Sequence, residues 1–301
     1  MKNDKYLGRG IHKEQFLDSL TSGKLKPMLE IINKDKDLDV QIRNNYLNIY
    51  YDGGNIAKVS SANSVLFNKN YFYTDMKNNP AKDINRETKD ILSGKRNELI
   101  CKFKEGNFKE YFDDAKKIMN IWFAANPKPE RKEQHQLSIE NQYNKSDYTI
   151  IDLEYQVSME SKFYCTFVPE GKSKPKKPRF DIIAVDKAGK LCVIELKSGT
   201  GALGNTSGLK EHYECYKCSI GRNPEPFKSE MENLLSQKQD FGLIDDRLKI
   251  LSTEPEFMFV YSYDESDKKA QFNKFMDEYN VIGENIHVIW LQDKSWKLLD
   301  K

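Results

Sequence analysis

The chain has 301 residues, with 48 Lys and Arg against 46 Asp and Glu, a formal charge of +2. That length predicts two domains, or one core with a large appendage, and the near-neutral balance excludes a globally basic nucleic-acid coat while leaving room for a local basic surface. Apolar residues are 38% of the chain, but Tyr 16, Phe 16 and Trp 3 supply large buriable surfaces, which excludes wholesale disorder.

The longest apolar runs, Ile121 to Ala125 and Phe257 to Tyr261, are far too short to span a bilayer, so no membrane partner is expected. The N-terminus shows no hydrophobic stretch and thus no signal peptide. Five cysteines without framework spacing point to reduced thiols and a cytoplasmic location.

In chain order, residues 11–33 carry Phe16, Leu20, Met28, Ile31 and Ile32 at helical spacing. Alternation follows over 38–51, and Asp52-Gly53-Gly54 predicts a hairpin continued by Ile56, Val59 and Val65. Residues 84–103 and 107–125 return to helical periodicity. The break Asn126-Pro127-Lys128-Pro129 sets the expected boundary between an N-terminal α+β region, 1–126, with a β-meander (38–74) and two helices, and a second domain, 127–301. Beyond it the pattern predicts a helix over 130–144 and strands at 148–158, 162–168, 179–186 and 190–197. Helices are expected at 208–219, 227–240 and 266–279, with strands at 256–263 and 286–291. The predicted class is α/β (α+β), an α/β sandwich around a mixed sheet.

The chemistry concentrates in Arg179 to Lys197. The loop Lys187-Ala188-Gly189 predicts a tight hairpin with Gly189 in a left-handed conformation. In that register Asp186 faces Lys190, Val185 faces Leu191 and Asp181 faces Glu195. Lys197, two residues beyond Glu195, lies on the same side of the sheet. The strand 191–197 is apolar on both faces, the pattern of a central covered strand. Two opposed carboxylates near the core demand compensation, and one lysine offers a single positive charge. A hard divalent cation with oxygen ligands completes the neutralisation, and this is the equipment of a metal-dependent phosphodiesterase.

Asp181, a 13-residue gap and Glu195-Leu196-Lys197 resemble the PD-(D/E)XK (restriction-endonuclease-like) nuclease superfamily, with Phe180 where the usual Pro stands. The resemblance covers about residues 130–220 and extends less surely to 291. It implies an αβββαβ core with a mixed central sheet, dependence on Mg²⁺ with Mn²⁺ able to substitute, and hydrolysis of nucleic-acid phosphodiesters, DNA foremost. It assigns metal ligation to Asp181, Glu195 and the Leu196 carbonyl, and action on the attacking water to Lys197.

Such nucleases often carry a Glu on the helix before the first core strand, and Glu133 is the candidate, ahead of Glu140. A solvated helix face explains it as well. Glu154 is another candidate ligand, although a strand with outward charges accounts for Asp152 and Glu154 together. One branch has Gln-x-x-x-Tyr on the following helix; here the comparable helix holds His212 and Tyr216. His212 suits a contact to phosphate or to a ligand water, against the plainer reading of a half-buried aromatic pair. Lys172, Lys174, Lys176, Lys177 and Arg179, stiffened by Pro175 and Pro178, form a basic loop suited to a phosphate backbone or simply to solvent.

Gly199 to Gly204 matches GxGxxG but does not open a helix, so a dinucleotide fold is set aside. Gly171-Lys172-Ser173 lacks the earlier Gly of a P-loop. Cys215 and Cys218 form an isolated CxxC, and four scattered histidines form no zinc motif. The tyrosines of the N-terminal sheet (Tyr46, Tyr50, Tyr51, Tyr71, Tyr73) suit base stacking or ordinary packing. The expected function is therefore a metal-dependent nuclease. The rivals are a non-cleaving nucleic-acid- or protein-binding module on the same fold, and a structural or sensor protein led by its first 125 residues. Oligomeric state is open, a homodimer included.

Overall fold

The computed structural model describes residues 8–73, 86–127, 129–142, 145–165, 167–168, 177–198, 208–263, 268–292 and 295–299. The fold is mixed α+β, with a four-stranded antiparallel sheet and a five-stranded mixed sheet. The chain divides into two compact units. The N-terminal unit comprises Arg9–Ile139 and Gln237–Leu243; the other is built from Glu140–Ser236 and Ile244–Lys301, with Gly8 at its start.

In the N-terminal unit, the stretch expected to be helical up to residue 33 forms two helices, α1 (Glu14–Thr21) and α2 (Lys26–Lys34), separated at Ser22-Gly23. The meander follows as β1 (Leu38–Arg43), β2 (Tyr46–Tyr51), β3 (Gly54–Ser61) and β4 (Ser64–Leu66), in the order β1-β2-β3-β4. It ends earlier than residue 74, giving way to a 3₁₀ turn at Lys69–Phe72. Asp52 and Gly53 both have positive φ, 45° and 78°, the backbone of a type I′ hairpin turn. Helices α3 (Arg86–Glu105) and α4 (Phe108–Ala125) bury Phe103, Phe108, Tyr111 and Phe112 in edge-to-face contacts, and the Tyr111 hydroxyl donates to the Ile56 carbonyl at 2.7 Å. The sheet tyrosines take part in packing: Lys58 lies over the Tyr46 ring, Lys116 over Tyr51, and the Tyr51 hydroxyl donates to Asn120.

Helix α5 (Pro129–Glu140) is sequence-adjacent to the mixed sheet, yet up to Ile139 it clusters with the N-terminal unit. The cause is local. A Cβ at Gly53 would lie 2.5 Å from the Arg131 carbonyl carbon, so the α5 backbone rests directly on the β2–β3 turn. The Lys132–Asp52 ion pair at 2.9 Å fastens it there. The contact-defined division thus falls after α5, where the Pro-rich break had placed it before.

The second unit is organised by β5 (Tyr148–Gln156), β6 (Arg179–Asp186), β7 (Leu191–Ser198), β8 (Glu256–Tyr263) and β9 (His287–Gln292), hydrogen-bonded in that order. β5, β6 and β7 run antiparallel; β7, β8 and β9 run parallel. Parallel neighbours require crossovers. The first is α6 (Leu209–Tyr216), a π-helical segment (Lys217–Gly221) and α7 (Pro224–Asp240); the second is α8 (Lys268–Asn280). β7 is central and buried from Leu191 to Lys197, as its two-sided apolar pattern requires.

Of the strand expected at 162–168, only a single β-bridge residue, Phe167, forms among the described residues. The stretch begins in turns, with the Ser161 amide donating to Ser158 and the Tyr164 amide to Ser161, and it is tethered by side chains. Phe163 packs against Phe227, and Cys165 is joined to Cys218 in a disulfide. This corrects the expectation of wholly reduced thiols and removes that support for a cytoplasmic location; Cys101, Cys192 and Cys215 form no disulfide. No helix among the described residues is long and apolar enough to cross a membrane.

Candidate active site

The β6–β7 hairpin closes as its turn chemistry dictates. Gly189 has φ +80°, and the Asp186 carboxylate accepts from the amides of Ala188 and Lys190, both at 2.8 Å. Pairing then runs from Val185 opposite Leu191 to Ile182 opposite Ile194, and its continuation sets Asp181 opposite Glu195. The Lys190 side chain leaves its expected cross-strand partner Asp186 and bonds Glu256 at 2.9 Å.

At the open end of the hairpin three side chains converge. Asp181 Oδ2 accepts from the Leu196 amide at 3.0 Å, which fixes its carboxylate against β7. Lys197 Nζ donates to Glu195 Oε1 at 2.9 Å. Glu195 and Lys197 are almost wholly covered, 2% and 6% exposed, and Asp181 is half-buried. Burial, then the neighbouring Glu195 carboxylate, push Asp181 up to about 8; Lys197, His212 and the Leu196 amide pull against this and do not cancel it. The site by itself therefore favours a protonated Asp181.

His212 enters this group from α6. Its Nδ1 is 3.0 Å from Glu195 Oε2 and its Nε2 is 3.4 Å from Lys197 Nζ. The i, i+4 spacing that grouped it with Tyr216 holds on the helix, but the two side chains have different surroundings. The Tyr216 hydroxyl donates to the Pro255 carbonyl at 2.6 Å, and its ring packs on Phe257. The spacing put His212 and Tyr216 on one helix face; only the fold brings His212 to Glu195 and Lys197.

The other expected residues scatter. Glu154 lies opposite Asp181 by strand register, but its backbone is left-handed, φ 49°, and its carboxylate is paired with Arg179. Asp152, expected to point outward with it, is fully buried, because the irregularity between Ile150 and Asp152 resets the alternation. Glu133 sits on α5 in the N-terminal unit. Lys177 and Arg179 are exposed at the entrance to β6, whereas Lys172, Lys174, Lys176 and the GxGxxG stretch lie outside the described residues. Among the described residues no group of three or more His, Cys, Asp and Glu side chains is arranged to hold a metal ion. A surface cleft at the turn end of the hairpin, lined by Asp147, Asp186, Lys187, Arg247 and Lys249, contains none of the trio, and Lys187 and Arg247 are already paired with Asp147 and Asp245.

No family model, curated protein or solved structure matches the chain.

Proposed function

We propose that the chain is a metal-dependent nuclease hydrolysing phosphodiester bonds, in DNA foremost, on a core of the restriction-endonuclease-like kind. The observation that carries the reading is the meeting of Asp181, Glu195 and Lys197 at one end of a central hairpin, with Asp181 pushed up to about 8 by burial and then by the Glu195 carboxylate. The order of three antiparallel strands, a helical crossover and a parallel strand is compatible with the βββαβ part of such a core.

The donor chemistry fits a hard divalent cation such as Mg²⁺ or Mn²⁺. Asp181, Glu195 and the Leu196 carbonyl offer oxygen only, and a cation would favour the ionised form of Asp181 that burial disfavours. Such a cation supplies Lewis acidity toward a phosphoryl oxygen and acidifies water. The Leu196 amide aims Asp181. Lys197, held by Glu195 in a nearly dry setting, orients the attacking water and stabilises charge growing on phosphorus-bound oxygen. Glu154 contributes little here, its carboxylate being committed to Arg179. Lys177, exposed beside β6, would meet a phosphate backbone approaching there, and Arg179 would do so only by leaving Glu154.

The coverage of Glu195 and Lys197 favours a second reading, a module that grips nucleic acid or protein without cutting. The two readings separate in one experiment. Purified chain is incubated with circular, linear and single-stranded DNA and with RNA, with Mg²⁺ or Mn²⁺ and with EDTA. The nuclease reading expects products that EDTA abolishes. A gel shift without products under any divalent ion rejects it. Because Lys197 is buried, Lys197→Ala would strand the Glu195 carboxylate at a cost of roughly 3–5 kcal/mol. Lys197→Gln, which keeps a donor, is the better probe; it should fold normally and lose turnover, and wild-type activity in it would reject the mechanism.

A further inference from the structure

We propose that Cys165, Cys215 and Cys218 form a thiol–disulfide exchange site, in which Cys218 passes its bond from Cys165 to Cys215 and so releases the turn segment after β5 from the helical crossover. The proposal is independent of the nuclease reading.

Spacing is the first support. Cys215 lies on α6 and Cys218 in the π-helical segment that continues it. The backbone between them stays right-handed and helical, with Tyr216 at φ −62°, ψ −52° and Lys217 at φ −56°, ψ −45°. Residues three apart on such a backbone share a face, with Cα atoms about 5 Å apart. That falls inside the window of about 4.4–6.8 Å that a disulfide spans. The Cα of Cys165 is 5.8 Å from that of Cys218. Cys218 thus has two cysteine neighbours at disulfide spacing and can be joined to one at a time.

Exposure separates their roles. Cys165 and Cys218 are partly exposed, the setting of exchangeable disulfides. Cys215 forms no disulfide and is only 2% exposed, so a dissolved reagent reaches it poorly while its neighbour one turn on remains close. The intervening backbone is already off the regular helical ladder. The π-helical turn Lys217–Gly221 includes Cys218, and Ser219 Oγ donates to the Cys215 carbonyl at 2.5 Å, a back-bond of the kind that bends helices. Single π-turns collect at functional sites.

The step is an internal exchange. The Cys215 thiol gives up its proton and its sulfur attacks Cys218 Sγ. The Cys218–Cys165 bond breaks as the Cys218–Cys215 bond forms, and Cys165 leaves as a thiolate that takes up a proton. One disulfide and one thiol stand on each side, so no oxidant or reductant is consumed. Two described contacts also fasten the turn segment to the crossover: the Phe163 and Phe227 rings at 5.8 Å, and the Asn223 amide donating to the Lys162 carbonyl at 3.4 Å. Exchange moves the covalent hold off the segment and leaves it to contacts of that strength.

The test incubates the full-length, non-reduced chain with N-ethylmaleimide and no reductant for several hours, the span of uncatalysed disulfide rearrangement. Peptide mass spectrometry then maps labels and links. In wild type, label on Cys165 should appear together with a Cys215–Cys218 link, in equal amounts, as the Cys165–Cys218 link is lost; exposed Cys101 is the labelling control. Cys215→Ser and Cys215→Ala should lose the Cys165 label. Cys165→Ser should form the Cys215–Cys218 link, and trypsin should cut it after Lys162 at least about tenfold faster than wild type, because the segment has lost its covalent hold. Wild type whose Cys165 stays unlabelled, label on Cys215 with the Cys165–Cys218 link intact, or Cys165→Ser without the new link would each overturn the proposal. An unchanged tryptic rate would overturn the release. Should the Cys215 variants fail to fold, wild type decides alone, since label and new link are read on the same molecule.

Discussion

Asp181 links the site to stability through pH. Its folded value of about 8 stands above the ordinary 3.8, so the protonated carboxyl is the form the fold favours. The sign follows from linkage: the contribution is complete below about pH 4 and is lost as pH rises through about 8, because ionisation costs more in the folded chain than in the unfolded one. Metal-free protein should therefore show a falling Tm between these limits. Asp181→Asn should flatten that slope and raise Tm at pH 8, while abolishing the stabilisation that Mg²⁺ or Mn²⁺ gives wild type there. Thermal scans at several pH values with and without metal check both halves. At this scale much was legible in advance, since a loop ending in Gly189 fixes the register, and the register fixes which side Asp181, Glu195 and Lys197 share. The contact of His212 with Glu195 and Lys197 was not, because a histidine's partner across a long crossover leaves no mark on local periodicity. Nor was the fate of Glu154, which depends on a left-handed backbone at a non-glycine residue.

Among the elements, the turn between β2 and β3 is the most exacting. Gly53 combines φ +78° with a site where a Cβ would meet the Arg131 carbonyl carbon at 2.5 Å, and that neighbour is backbone and cannot swing aside. Gly53→Ala should destabilise the N-terminal unit by at least about 2 kcal/mol, seen as a lower denaturant midpoint, since the strained φ and the clash act together. The hairpin itself was readable from Asp52-Gly53-Gly54. That α5 seats on it was not, for the sequence of α5 gives no sign of which sheet it will cover. The segment 162–168 misled for the opposite reason: its aromatic and β-branched residues suit a strand, but side-chain anchors at Phe163 and Cys165 hold it as turns.

At the level of the whole molecule, the chain does not complete its N-terminal unit before moving on. Gln237–Leu243 returns to it from the end of α7. The Gln237 side chain accepts from the Ile11 amide at 2.8 Å and donates to its carbonyl at 3.0 Å, Lys238 reaches Gln41 at 3.3 Å, and Asn33 donates to the Phe241 carbonyl at 3.2 Å. A fragment of residues 9–139 lacks these bonds, each worth about 1 kcal/mol. It should unfold at a lower temperature than the same unit in the intact chain, and equal stability would show that the returning segment is dispensable. Length suggested two domains or one core with a large appendage, but no composition signal marks a return of so few residues.

The disulfide between Cys165 and Cys218 spans 53 residues, and Asp181, Glu195, Lys197 and His212 all fall inside the span. By loop-closure entropy a link of this length is worth about 4 kcal/mol. It also makes the catalytic candidates a covalent enclosure. A single protease cut within the span leaves the two products joined, migrating as one band without reductant and as two with it. Nicked preparations would then keep every member of the group on one molecule and lose them to separate pieces only after thiol treatment.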